Sequence, residues 1–217
     1  TGNLVGTGQI VPSTTDFCEG SQVSFGVENL IGAVDYEWNI PNGSSIVSGD
    51  GTQNIIVSFD SYSQNENVEI TVRASNSCPG QSQFISLPFE VKAKPELLLT
   101  TGNNDNQVLC YNEQIAPISY SFAGGVDSSL VSIEWFESGS PVPSPQGISF
   151  SVTSNSFTIE GTNQQVLTND SVYSYNLKSE VDGCSTLTVI ETGSIKLSAS
   201  PSLSLQNPGI NIQNFCE

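Results

Sequence analysis

The sequence predicts an all-β protein built as two tandem β-sandwiches, each with one disulfide. Three observations predict it: short segments of alternating apolar and polar residues run along the chain, clusters of Gly, Asn, Ser and Pro separate them, and the cysteines recur at the spacing of one sandwich. No window carries the 3.6-residue periodicity of an amphipathic helix.

In the first half, Val23, Phe25 and Val27 alternate with polar neighbours. So do Val34, Tyr36, Trp38 and Ile40, then Ile55, Val57 and Phe59, then Val68, Ile70, Val72 and Ala74. Successive strand side chains point to opposite faces, so each run has one face to bury. Turns fall at Pro41-Asn42-Gly43-Ser44, at Ser48-Gly49-Asp50-Gly51-Thr52 and between Asp60 and Asn65, where Gly and Asn supply the backbone angles of tight reversals. The second half repeats the plan over residues 118–122, 131–136, 148–152, 157–159, 172–177 and 187–196. The boundary falls at Lys92-Ala93-Lys94-Pro95, where proline removes a ladder donor and two of the five basic residues cluster. The expected modules are residues 1–94 and 95–200, with 201–217 opening a following repeat or forming a terminal strand.

The cysteines are Cys18, Cys78, Cys110, Cys184 and Cys216. Phe17-Cys18-Glu19 recurs as Phe215-Cys216-Glu217, and Gln107-Val108-Leu109-Cys110 parallels Gln213-Asn214-Phe215-Cys216. Pro95-Glu96-Leu97 and Pro201-Ser202-Leu203 precede Cys110 and Cys216 by the same 15 residues, so the period is 106. This repeat predicts bridges from Cys18 to Cys78 and from Cys110 to Cys184, leaving Cys216 unpaired as the first cysteine of the next repeat. On the chain-entropy model each bridge adds about 4 kcal/mol of stability. Disulfides imply export to an oxidising compartment. The chain begins at Thr1, with neither an initiator Met nor a signal peptide, so a segment excised from a longer precursor is expected.

Each half places one tryptophan, Trp38 or Trp135, between its two cysteines on an alternating strand. That is an immunoglobulin-like core pattern, and both rings are read as core. It departs from antibody domains in that Cys78 and Cys184 follow their strands, in the turns Asn76-Ser77-Cys78-Pro79-Gly80 and Asp182-Gly183-Cys184-Ser185.

Composition narrows function. The 217 residues carry 22 acidic and 5 basic side chains, a formal net charge of -17. Such a surface repels phosphate backbones and anionic lipid, which excludes nucleic acid and membrane surfaces as partners. No apolar run approaches the length of a membrane span. The absence of His removes Ser-His-Asp and Cys-His catalysis and the usual zinc ligand. No enzyme is expected.

Further along the same residues, a family resemblance emerges. Cys18-Glu19-Gly20-Ser21, Tyr36-Glu37-Trp38-Asn39-Ile40-Pro41-Asn42-Gly43, Gly49-Asp50-Gly51-Thr52-Gln53-Asn54-Ile55 and Val72-Arg73-Ala74-Ser75-Asn76-Ser77-Cys78 together resemble the PKD-like domains of Bacteroidota surface proteins. The second half, through residues 107–110, Ile118-Ser119-Tyr120, Gly124-Gly125 and Tyr173-Ser174-Tyr175, is similar to repeats of giant gliding-motility adhesins. The resemblance implies export by a type IX system, an extracellular place on the cell surface, adjacent repeats of the same chain as partners, and a stalk or filament role in adhesion or gliding. The alternative is a carbohydrate-binding accessory module contacting surface polysaccharide.

Other candidates weigh less. In Trp135-Phe136 the rings point to opposite faces, so Phe136 is the ring a glycan could meet. Asp50, Asp60 and Asn103-Asn104-Asp105 offer oxygen ligands for structural calcium, but without the spacing of a calcium loop they read as solvated turns, and no cofactor is assigned. Glu37 and Glu134 fall on separate modules, which argues against a glycosidase pair. Asp170-Ser171-Val172 resembles an O-glycosylation acceptor at Ser171, though it reads first as a turn entering a strand. Tyr173 and Tyr175 alternate toward the core, with a structural hydrogen bond expected from one of them.

Overall fold

The computed structural model describes residues 7–28, 30–76, 84–102 and 104–199. The chain divides into two compact units, one of Thr1–Pro95 with Val181–Leu187, the other of Glu96–Glu180 with Thr188–Glu217.

The first unit is a sandwich of two four-stranded sheets. One orders β1 (Gln9–Pro12), β3 (Gln22–Glu28), β6 (Asn54–Phe59) and β5 (Ser44–Ser48). The other orders β2 (Phe17–Cys18), β8 (Ile85–Lys92), β7 (Glu66–Ser75) and β4 (Asp35–Asn39). Pairing is antiparallel except where the short β2 runs parallel to the end of β8. The expected alternation fills the core: Val23, Phe25 and Val27 from β3, Ile55, Val57 and Phe59 from β6, Ile70, Val72 and Ala74 from β7, and Tyr36 and Trp38 from β4. Phe17, Phe25, Phe59 and Phe89 cluster with ring centroids 4.2 to 6.5 Å apart. Such aromatic contacts add about 0.5–1.5 kcal/mol apiece beyond area burial. Val34, expected on the same face as Tyr36, precedes the strand and is 71% exposed. Pro88 sits inside β8, which costs little because β2 pairs only with Val91 and Lys92, leaving Pro88 along an open edge.

The second unit repeats this plan. One sheet orders β14 (Ile148–Val152), β15 (Ser156–Gly161), β11 (Ile118–Gly124) and β9 (Pro95–Leu99). The other orders β10 (Asn106–Leu109), β17 (Thr188–Leu197), β16 (Ser171–Glu180), β12 (Val131–Glu137) and β13 (Ser140–Val142). Strand for strand the order matches the first unit, with β10 again parallel to the last strand and β13 added at one edge. The all-β, two-sandwich expectation is met.

Ile118, Tyr120, Trp135, Phe157, Ile159, Tyr175, Leu177, Ile195 and Leu197 fill the second core. The Tyr120 and Tyr175 hydroxyls meet at 3.1 Å inside it, and burial raises both phenols above their ordinary value. Tyr173 also faces inward, and its hydroxyl accepts from Gln165 Nε2 at 2.8 Å. Tyr175 lies directly opposite Gly193, where any Cβ would collide with the phenol.

Candidate functional site

The residues that tie the chain together gather at one end of the first unit. β2 is two residues long and is held by its parallel pairing, Phe17 to Val91 and Cys18 to Lys92. Phe17 buries its ring in the aromatic cluster, which turns Cys18 to the end of the sheet. There it is bonded to Cys184, with the Cα atoms 5.8 Å apart and 166 residues between them in sequence. Cys184 lies in the turn Val181–Leu187, closed by Cys184 N donating to Val181 O at 3.0 Å and Leu187 N to Cys184 O at 2.8 Å. Cys18, Val181 and Cys184 are buried together, with Leu187 packed against them. Gly183 adopts a left-handed conformation (φ 75°), and a Cβ there would come 3.0 Å from the Asp16 carboxylate, so glycine suits the turn twice over. Lys92 Nζ donates to Asp182 O at 2.6 Å. Lys94 N donates to Glu19 Oε2 at 2.7 Å and Ala93 N to Asn65 Oδ1 at 2.9 Å, which fixes the backbone where the first module ends.

This pairing corrects the one expected from the repeat. Cys18 lies beside Lys92, level with the start of β7, and is bonded to Cys184, so it is not the partner of Cys78. Cys184 is likewise held by Cys18, so it is not the partner of Cys110. Cys110 is disulfide-bonded as well. Since Cys18 and Cys184 hold each other, its partner lies outside the described residues. The expectations for Cys78 and Cys216 also fall outside them.

Trp38 and Trp135 occupy equivalent core positions, 7% and 5% exposed. Their indole N–H groups differ. Trp38 Nε1 donates to Thr52 O at 2.9 Å, whereas Trp135 Nε1 is buried with no acceptor. The connection from β5 to β6 has five residues, 49–53, and its counterpart from β14 to β15 has three, 153–155, so the backbone that supplies Thr52 O is shortened in the second unit. Phe136 is half-buried on the outward face, opposite Ser174 and Pro141.

Glu37 pairs with Arg73, which also stacks over Phe84 at 4.9 Å, while Glu134 is exposed on the second unit. Asp60 accepts from Ser45 Oγ at 2.7 Å, and its Ser58 and Ser45 hydrogen bonds hold its carboxyl below the ordinary value. Asp105 offers its backbone carbonyl to Ser194 N at 2.8 Å. Among the described residues no group of three or more His, Cys, Asp or Glu is placed to hold a metal ion. Ser171 opens β16 with its hydroxyl donating to Glu137 Oε1, beside an Asp170–Lys196 ion pair at 2.8 Å. Among the described residues no helix is long and apolar enough to cross a membrane. No local pattern marks the Val181–Leu187 turn as a partner of β2, or distinguishes the two indoles.

Residues 5–88 match the family model of the PKD-like domain. No curated protein matches the chain. Among solved structures it is similar to an I-band fragment of titin, at 12% identity and a TM-score of 0.52, covering 88% of this chain and 64% of that one. A three-immunoglobulin-domain structure of the same titin region carrying Glu-to-Ala changes matches at 12% identity and a TM-score of 0.54, over 91% and 66% of the two chains. The chain thus spans just under two thirds of the length of these relatives. At such identity the likeness concerns the fold alone: an immunoglobulin-like sandwich repeated in tandem, whose first copy is similar to PKD-like domains.

Proposed function

We propose that the chain is a structural and adhesive segment, a stalk or filament repeat of a secreted cell-surface protein serving surface attachment or gliding. The observation that carries this reading is the bond between Cys18 and Cys184, which closes a loop of 166 residues around a repeated sandwich. A buried disulfide of this kind belongs to an oxidising, extracellular compartment. The match of residues 5–88 to PKD-like domains supports the same setting. The surface charge keeps neighbouring copies apart, by repulsion that salt screens. Adjacent repeats of the same chain are its nearest partners, and modules near residues 1–94 and 95–200 are its building blocks.

The test is surface exposure in the producing cell. Antibody raised against residues 1–217 should label intact, unpermeabilised cells, and soluble fragment in excess should reduce their attachment to a surface. Labelling only after lysis, with Cys18 and Cys184 as free thiols, would contradict the reading. A second reading, a carbohydrate-binding accessory module, rests on the half-buried Phe136 ring on the outward face of β12.

A further inference from the structure

The second unit has an open strand edge where the first has a capped one. β4 and β12 occupy the same place in their sheets, and Tyr36 and Ile133 each stand two residues before the core tryptophan. In the first unit the Tyr36 N–H donates to Gly51 O at 3.3 Å, so the connection 49–53 covers the outer edge of β4. The matching connection in the second unit, 153–155, is two residues shorter. β13 takes its place only in part. It returns from β12 through a turn at Ser138 and Gly139, both left-handed (φ 51° and 80°), and pairs with Glu137, Phe136 and Trp135 before the chain leaves through Pro143-Ser144-Pro145. Bonded and non-bonded pairs alternate along such a hairpin, and Pro141, which has no N–H, faces Phe136 at the non-bonded position. Glu137 and Trp135 therefore turn N–H and C=O toward β13, and Ile133, two residues earlier, turns its own the same way, past the end of β13. Among the described residues no strand pairs with Ile133 on that side.

A cleft of about 390 Å³ lies at this edge. Ile133 and Trp135 line it from the core side of β12 and Glu134 from the outer side, so it occupies the position of a further strand. Phe150 of β14 also lines it; that ring faces Ile159 in register, on the core side of its own sheet, yet is 49% exposed. We propose that the edge of β12 at Ile133 binds an extended, basic segment of another polypeptide by strand addition. Ile133 exchanges backbone hydrogen bonds with one residue of the segment, whose side chain falls on the core side, is apolar and packs on Phe150. The next residue stands opposite Glu134 on the outer face, and a basic side chain there pairs with the carboxylate. The net charge of -17 decides between occupants: it opposes a second copy of this acidic chain at the edge and favours a cationic segment. The inference goes beyond the stalk reading, which the cell-labelling test decides without any peptide.

The capped edge of the first unit makes the test internal. In a proton–nitrogen correlation spectrum of the whole chain, the end-blocked peptide Lys-Val-Lys-Val-Lys is titrated to millimolar concentration. It should move the Ile133 amide resonance saturably and slow that amide's hydrogen exchange, while the Tyr36 amide stays fixed. Glu-Val-Glu-Val-Glu should bind roughly tenfold more weakly, the difference between opposite and like charges across a strand pair. Lys-Ser-Lys-Ser-Lys, with nothing apolar to enter the cleft, should also bind more weakly, and N-methylation of both valines should abolish binding. Glu134→Lys, an exposed change that leaves the core intact, should reverse the preference between the lysine and glutamate peptides. The proposal is overturned if the lysine–valine peptide gives no saturable Ile133 shift, if the glutamate, serine or N-methylated peptide binds as tightly, or if Glu134→Lys leaves the preference unchanged. Saturable shifts confined to other strands would likewise overturn it.

Discussion

Tension applied to the two ends of the chain follows the shortest covalent path, and the bond between Cys18 and Cys184 makes that path short. Strands β3 through β16 lie inside the loop it closes, so end-to-end load bypasses them. The 166 residues between the cysteines correspond to about 600 Å of extended chain. Outside the loop, 217 residues leave 216 spacings less 166, or 50, which extend to about 180 Å. A further bridge at Cys110 can only shorten the oxidised path. With handles fused to both termini in an optical trap, the oxidised protein should stop lengthening near 180 Å, having lost β1, β2 and β17 from their sheets. Adding reductant should release about 600 Å more as the sandwiches unravel, and Cys18→Ser without reductant should release part of that length, the remainder staying closed by the Cys110 bridge. Release of that full length from oxidised protein, or a contour length indifferent to reductant, would refute the reasoning.

Three further outcomes follow from the same residues. Closing a loop of 166 residues restricts the unfolded chain by about 5 kcal/mol, so Cys18→Ser should lower the free energy of denaturant unfolding by up to that amount, and an unchanged midpoint would contradict it. Gly193→Ala should destabilise the second unit by about 1–3 kcal/mol, because its methyl group meets the Tyr175 phenol opposite; a neutral effect on thermal melting would show that the pair can separate. Burial raises Tyr120 and Tyr175 above 10.0, so above that pH the unfolded chain sheds protons the native one keeps, and stability present below pH 10.0 falls as pH rises. Urea midpoints across this range should show the decline, and replacing both tyrosines with Phe should flatten it.

The parts of the fold legible in sequence were those whose two faces differ in chemistry. β3, β6, β7 and β16 alternate strictly because one side meets core and the other water, and hydropathy alone locates them. β2 and β10 were invisible because they are short and are defined by parallel pairing with β8 and β17, a long-range property that leaves no local period. β5 is Ser-rich and largely exposed, so it lacks an apolar face, and β8 carries Pro88, a residue that argues against a strand. The cysteine period marks equivalent positions without saying which sulfurs meet. That depends on contacts far apart in the chain, and Cys18 meets Cys184 although 166 residues separate them. Trp135 was recognisable as core from its alternation. Its unsatisfied N–H was not, since it follows from two residues missing in a turn far along the chain.

The most direct measurement is peptide mapping of the non-reduced protein by mass spectrometry, after blocking free thiols and cleaving between the cysteines. A linked pair carrying Cys18 and Cys184 is expected, separating on reduction. Recovery of Cys18 joined to the Cys78 peptide, or of Cys184 joined to the Cys110 peptide, would contradict it.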